Sequence, residues 1–231
     1  MQSIIAERIE AIQRELAEAG EKWGRAPELI AVTKTVEAER INELCDAGIF
    51  HIGENHAQEI LAKLPHLDAR FEIDFIGRLQ NNKVRHIIDK VAMIQSLDRP
   101  SLAEEIDRRA GQRGIRMPVL IEVNIGGEAQ KGGVRPDEVL TFAAECARRK
   151  GLLVSGLMCV MPVENEEVLM PLFRQMRTLF EQLREEAIPD TEITTLSMGM
   201  SGDYLLAARA GATHVRIGSA IFGERVYSQK S

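Results

Sequence analysis

The chain has 231 residues, of which 45% are apolar, 28% charged and only 4% aromatic, and its net charge is −6. A chain of this length hides roughly 70% of its extended surface on folding, so a full hydrophobic core is within reach, and disorder, collagen and disulfide scaffolds are excluded. The acidic balance and the scarcity of aromatic rings argue against a nucleic-acid footprint or a base-stacking platform.

The longest charge-free apolar stretch, residues 152–163, is too short to span a bilayer. Glu7, Arg8 and Glu10 interrupt any secretory h-region. Cys45, Cys146 and Cys159 are odd in number, far apart and without a CxxC pair, so a reduced, cytoplasmic chain is expected.

Along the chain, Ser3 caps a first helix whose stripe is Ile5, Ile9, Ile12 and Leu16 and which ends near Gly20. A strand over Leu29–Val32 follows, then a helix carrying Ile41, Leu44 and Cys45 and closing before Gly48. Next come a strand over Phe50–Gly53 and a helix with Ile60, Leu61 and Leu64 that stops at Pro65. Asn55 reads as the cap of that helix, with Gln58 as its capping-box partner. Strands over Ile73–Gly77 and Ala92–Leu97 flank a helix on Val84, Ile87 and Ile88. Leu102 and Ile106 mark a further helix before the strand Val119–Val123. The glycine-rich run from Gly126 to Gly133 lacks the GK[ST] ending of a P-loop and reads as a mobile loop. Pro136 suits a first helical position ahead of Val139, Leu140 and Ala143. The strand Leu152–Met158, the longest helix (Val168 to Leu183), the strand Thr194–Met198, a helix over Ser201–Gly211 and the strand His214–Ile217 complete the series.

Eight strands alternating with helices predict a parallel sheet, because parallel strands need crossover connections. The count is that of an α/β chain forming a single (β/α)₈ TIM-like barrel, at the small end of the range. One domain over residues 1–231 is expected, with the extra N-terminal helix at about 3–20 and the barrel at about 29–223. The runner-up, a doubly wound open sheet, would want GxGxxG after the first strand, where this chain reads Ala31-Val32-Thr33-Lys34-Thr35.

In such a barrel, functional groups gather where strands end. Lys34 directly follows the first strand; a lysine losing hydration there becomes a Schiff-base nucleophile, and the alternative is a solvated lysine at a loop edge. The segment Leu196–Asp203 runs from a strand end into a helix, with Ser201 placed as an N-cap and small residues that let backbone N–H groups approach an anion. Val215–Gly223 supplies an inward Arg216, then Gly218, Ser219 and a short helical start. The last two segments follow strands seven and eight, the usual phosphate site of this barrel, so phosphate binding is expected there. Gly77–Lys83 holds polar groups at a strand end, where helix initiation serves equally well. Met158, Met161, Met198 and Met200 read as packing residues. The five histidines show no HExxH or Cys/His spacing, so no metal site is expected.

The segments Ala31–Lys34, Gly53–Asn55, Phe75–Lys83, Gly156–Met158, Leu196–Asp203 and Val215–Gly223 resemble, in order, those of the pyridoxal phosphate homeostasis proteins (the YggS/PROSC family). The resemblance covers about Leu29 to Tyr227, and SMGMSGD with VRIGSAIFG is specific in combination. It implies a barrel like the N-terminal domain of alanine racemase, binding pyridoxal 5′-phosphate (PLP). Lys34 matches the lysine of the internal aldimine; Ser201, Gly218 and Ser219 match the phosphate positions; Arg216 matches the arginine near the pyridine nitrogen. Asn55 and Met200 join the expected cofactor-binding set. His56 stands where Tyr commonly follows Gly-Glu-Asn, Asp74 where His often precedes Phe-Ile-Gly, and Ser219 replaces the commoner Thr.

A cationic Arg216 beside the pyridine nitrogen disfavours its protonation, and an unprotonated ring is a poorer electron sink. Racemases of the related kind draw a tyrosine base from a second domain, whereas this chain holds only Tyr204 and Tyr227. PLP carriage or buffering without substantial turnover is therefore expected ahead of racemase or lyase chemistry. Expected partners are PLP and apo PLP-dependent enzymes as recipients, with no nucleic acid, no membrane and a monomeric state.

Overall fold

The computed structural model describes residues 3–128 and 131–223. Ala129 and Gln130 of the glycine-rich segment, and Tyr227, lie outside the described residues, as does the reading of that segment as mobile. Helix α1 (Ile4–Gly20) begins at Ser3, whose Oγ accepts from the Ile5 N–H, and buries Ile5, Ile9, Ile12 and Leu16. Strands β1 (Glu28–Val32), β2 (His51–Glu54), β3 (Glu72–Phe75), β4 (Met93–Leu97), β5 (Met117–Glu122), β6 (Leu152–Met158), β7 (Thr195–Ser197) and β8 (His214–Ile217) each pair in parallel with the next. β1 also pairs with β8, Leu29 opposite Val215, and the sheet closes into a barrel. Closure rules out the open doubly wound sheet.

Between and after the strands lie α2 (Ala38–Asn42), α3 (Ala57–Lys63), α4 (Asn81–Ile87), α5 (Pro100–Arg113), α6 (Val139–Ala147), α7 (Glu166–Glu185), α8 (Tyr204–Arg209) and α9 (Ser219–Phe222). Pro136 opens a 3₁₀ turn that leads into α6. The strands are buried on both faces, which is why they read as continuous apolar runs. Among the described residues no helix is long and apolar enough to cross a membrane.

One glycine is fixed by this closure. Between β5 and β6 the register slips by one residue after Val119–Val154, and Leu120 then faces Gly156. Gly156 has φ +147°, and a Cβ there would stand 1.8 Å from the Thr195 carbonyl oxygen. Only glycine fits such an approach of β6 to β7.

Three local readings are corrected. β3 ends at Phe75, two residues short of Gly77, and the polar segment forms a loop that reaches α4 through Gln80. Asn55 is not a helix cap: α3 starts at Ala57 with His56 in the capping position and no side-chain cap bond. Ser201 does not cap the last long helix either, because α8 begins at Tyr204 and residues 201–203 form a turn. In both cases the polar residue turns its side chain to the barrel mouth.

Candidate functional site

The C-terminal strand ends enclose a cavity of about 380 Å³ bounded by Val32, Lys34, Asn55, Ile76, Val160, Met200, Ser201, Gly202, Arg216, Gly218 and Ser219. All seven residues expected to bind a cofactor are brought together here. The walls pair two cations, Lys34 and Arg216, with apolar Val32, Ile76 and Val160, and no carboxylate is among these described residues.

Lys34 is half-buried and sits in the turn that follows β1. The next residue, Thr35, has φ +62°, a conformation that β-branched residues rarely adopt. The turn is held from beneath. The Thr35 N–H donates to Glu59 Oε2 at 2.8 Å. Lys63 Nζ donates to the Thr33 carbonyl (2.9 Å), Glu54 Oε1 (2.7 Å) and Glu59 Oε2 (2.8 Å). Thr33 Oγ1 donates to the same Glu54 oxygen at 2.7 Å, and Glu54 is fully buried. Burial pushes the Glu59 carboxyl up, but the Lys63 and Thr35 bonds outweigh it and leave the group below its ordinary value. A strained turn fixed by a buried ion pair presents Lys34 in one place.

Across the cavity, Ser201 Oγ accepts from the N–H groups of Gly218 (3.1 Å) and Ala220 (3.4 Å). Two backbone donors thus converge on one oxygen at the cavity wall. The 199–203 loop lies flat on α8 because Gly199, at φ +94°, leaves room where a Cβ would come within 2.5 Å of the Ala207 Cβ. Met158, Met161 and Met198 are core residues, as expected, whereas Met200 is 44% exposed and faces the cavity. Asn55 Oδ1 is buried and without a hydrogen-bond partner, an acceptor left open in the cavity wall.

Arg216 is 3% exposed and held by neutral acceptors. Nη1 donates to Ser197 Oγ at 2.6 Å and Nη2 to the Cys159 carbonyl at 2.7 Å. Burial pulls its pKa down, yet arginine starts so high that it stays charged. Burial raises the nearest acids, Asp203 and Glu122, while the charge of Arg216 draws both downward.

From Arg216 a file of polar side chains runs down the barrel interior. Ser197 Oγ donates to Gln95 Oε1 (2.7 Å), Gln95 Nε2 donates to Asp74 Oδ2 (2.5 Å), and Asp74 Oδ2 lies 3.0 Å from His51 Nε2. Burial alone would lower the pKa of His51; the contacts with Asp74 and Glu28 outweigh it and push the ring up to about 10. Reading by residue type missed Ser197, Gln95 and Asp74 as supports of Arg216, although a polar residue inside an apolar strand is the signal that marks them. The Lys63–Glu54 pair left no such mark, because Lys63 lies on a helix whose facing strand only the fold reveals.

Comparison with known proteins gives the family and the fold. The family model described as "Alanine racemase, N-terminal domain" matches residues 8–226. A pyridoxal phosphate homeostasis protein of Aquifex aeolicus is 42% identical over 96% of this chain and 98% of its own. The structure of PipY from Synechococcus elongatus PCC7942 with PLP bound superposes with a TM-score of 0.82 at 32% identity, covering 95% of this chain and 100% of that one. The alanine racemase of Clostridium difficile 630 shares the fold, with a TM-score of 0.77 at 13% identity over 97% of this chain and 57% of its own.

Proposed function

The chain belongs to the alanine racemase N-terminal domain family and, within it, to the pyridoxal phosphate homeostasis proteins; from that premise we propose that it binds PLP at the C-terminal barrel mouth and carries or buffers it. The observation that carries this reading is one cavity holding a presented lysine, a buried arginine and a serine hydroxyl on which two backbone N–H groups converge. When bound, PLP supplies an electrophilic aldehyde on an electron-withdrawing ring. Lys34 is the amine that holds the aldehyde end covalently. Ser201, Gly218 and Ser219 hold the phosphate, whose charge suits walls bearing cations and no acid. Val32, Ile76 and Met200 line the ring, and the open acceptor of Asn55 takes a donor from the ligand.

A carrier rather than a catalyst is supported by the groups around Arg216. A cation beside the ring nitrogen opposes its protonation and so limits how far the ring stabilises a carbanion. The one tyrosine among the described residues, Tyr204, spends its hydroxyl on Glu15 of α1 and does not border the cavity. The free thiols of Cys45, Cys146 and Cys159 support a reducing, cytoplasmic setting, and apo PLP-dependent enzymes are the recipients a carrier would serve.

Borohydride treatment of the PLP-loaded protein tests the site: the cofactor mass should map to the Lys34 peptide. Mapping to Lys83 or Lys131 overturns the assignment. Mixing loaded protein with an apo PLP enzyme should restore that enzyme's activity, whereas steady turnover of any amino acid at about 1 s⁻¹ or faster sinks the carrier reading.

A further inference from the structure

At the barrel end opposite Lys34, the first residues of three neighbouring strands converge. Glu28 opens β1, His51 opens β2 and His214 opens β8, with Glu28 and His214 directly paired in register. His51 Nδ1 lies 2.7 Å from Glu28 Oε1, and His214 Nε2 lies 3.3 Å from Glu28 Oε2. Each ring therefore addresses one oxygen of the same carboxylate. The rings meet edge-on at 85° with centroids 6.1 Å apart, and a ligand atom from each of the three residues lies within 4.8 Å of the others.

The far nitrogen of each ring has a polar neighbour. His51 Nε2 rests 3.0 Å from the buried carboxylate of Asp74, and His214 Nδ1 lies 2.8 Å from Thr213 Oγ1. A carboxylate or hydroxyl beside the outer nitrogen favours the tautomer whose free lone pair faces inward, and carboxylate–histidine pairs recur behind metal ligands. Beside the cluster opens a cavity of about 750 Å³, walled by Gln13, Phe50, Arg70 and Glu72 together with Glu28 and His51.

We propose that Glu28, His51 and His214 form a site for a divalent transition-metal ion of the zinc type. The ligands are His51 Nδ1, His214 Nε2 and the Glu28 carboxylate, and a fourth position faces the adjoining cavity. Two imidazoles and one carboxylate suit zinc; magnesium and calcium take oxygen sets instead. Three protein ligands with one open position is the pattern of zinc sites that hold a water or an exchangeable ligand. Tetrahedral bonds of about 2.0–2.2 Å set neighbouring ligand atoms roughly 3.3–3.5 Å apart. The three candidate ligand atoms lie within 4.8 Å of one another, and small side-chain rotations that turn one Glu28 oxygen toward both rings would bring them to that spacing. In the hydrogen-bonded arrangement a proton lies between His51 Nδ1 and Glu28; the ion takes its place and the proton leaves to solvent. The three ligands stand at the other end of the barrel from the Lys34 cavity and share no residue with its lining.

The test uses the full chain without a polyhistidine tag, titrated with Zn²⁺ against a chromogenic chelator and with Co²⁺ followed by its visible bands. Wild-type protein should take up one Zn²⁺ per chain and give the intense Co²⁺ bands of a tetrahedral site. Glu28→Gln, at an exposed carboxylate, should weaken Zn²⁺ binding by at least about 10-fold, and His214→Gln likewise. Zn²⁺ should raise the Tm of wild type and not that of the Glu28→Gln/His214→Gln double variant. Wild-type Zn²⁺ binding no tighter than that of the double variant overturns the proposal.

Discussion

Arg216 donates through Nη1 to Ser197 Oγ at 2.6 Å, and the same hydroxyl donates onward to Gln95 Oε1 at 2.7 Å. The cation of the barrel-mouth cavity is thus held by a neutral hydroxyl, and among the described residues it makes no ion pair. Ser197→Ala leaves a buried guanidinium N–H and a buried amide oxygen each short of a partner, at about 1–3 kcal/mol per group. For a domain of this size the Tm should fall by roughly 2–4 °C per kcal/mol. Because the guanidinium is freed to turn, the visible spectrum of bound PLP should shift as well; an unchanged Tm and spectrum would remove Ser197 from the support of Arg216.

Ser201 should matter to the phosphate and not to the ring. A hydrogen bond to a charged group contributes roughly 1.5–3 kcal/mol, or about 10- to 100-fold in affinity. Ser201→Ala should weaken PLP binding by that factor while leaving pyridoxal almost unaffected, as read by absorbance titration. Equal losses for the two ligands would place Ser201 away from the phosphate.

Lys63 should behave as a structural residue despite lying near Lys34. Its side chain is 12% exposed and that of Glu54 is 1% exposed. Removing one partner of a buried pair costs about 3–5 kcal/mol, since the other charge stays buried. Lys63→Met should therefore lower the Tm by roughly 6–20 °C. Borohydride should still fix PLP on Lys34, at a lower yield.

The thiols give a prediction with pH. Burial pushes Cys146 and Cys159 up to about 12 and raises Cys45 as well. The thiolate is the reactive form, so its fraction falls as the pKa rises and recovers only as pH approaches that value. Native protein should react slowly with a disulfide reagent at pH 8, and all three thiols should react at once in denaturant. Fast labelling of native Cys159 would contradict its burial beneath Arg216.

Much of this architecture is written in local pattern. Apolar runs from Leu29 to Ile217, separated by helical stripes, fix eight parallel strands within one or two residues, because burial on both faces leaves a strand no polar alternation. Lys34, Ser201 and Arg216 were legible because each lies at or a few residues from the end of such a run, where a barrel exposes its functional rim. The roles of Asn55 and Ser201 were less so: their sequence context is that of a helix cap, and only the actual starts of α3 at Ala57 and α8 at Tyr204 turn both side chains to the cavity.

What the sequence alone determined is the sequence of elements and the residues at their ends, since both follow from local burial and backbone preference. Tertiary structure alone decided which of those ends meet. Spacing along the chain shows no metal-ligand pattern among the histidines, yet closing β8 onto β1 brings His214 to Glu28, and the pairing of β1 with β2 adds His51. In the same way the polar file from Arg216 to His51 draws on β8, β7, β4, β3 and β2. A closed sheet turns residues from strands far apart in sequence toward one axis, and local pattern carries no record of which ones face each other there.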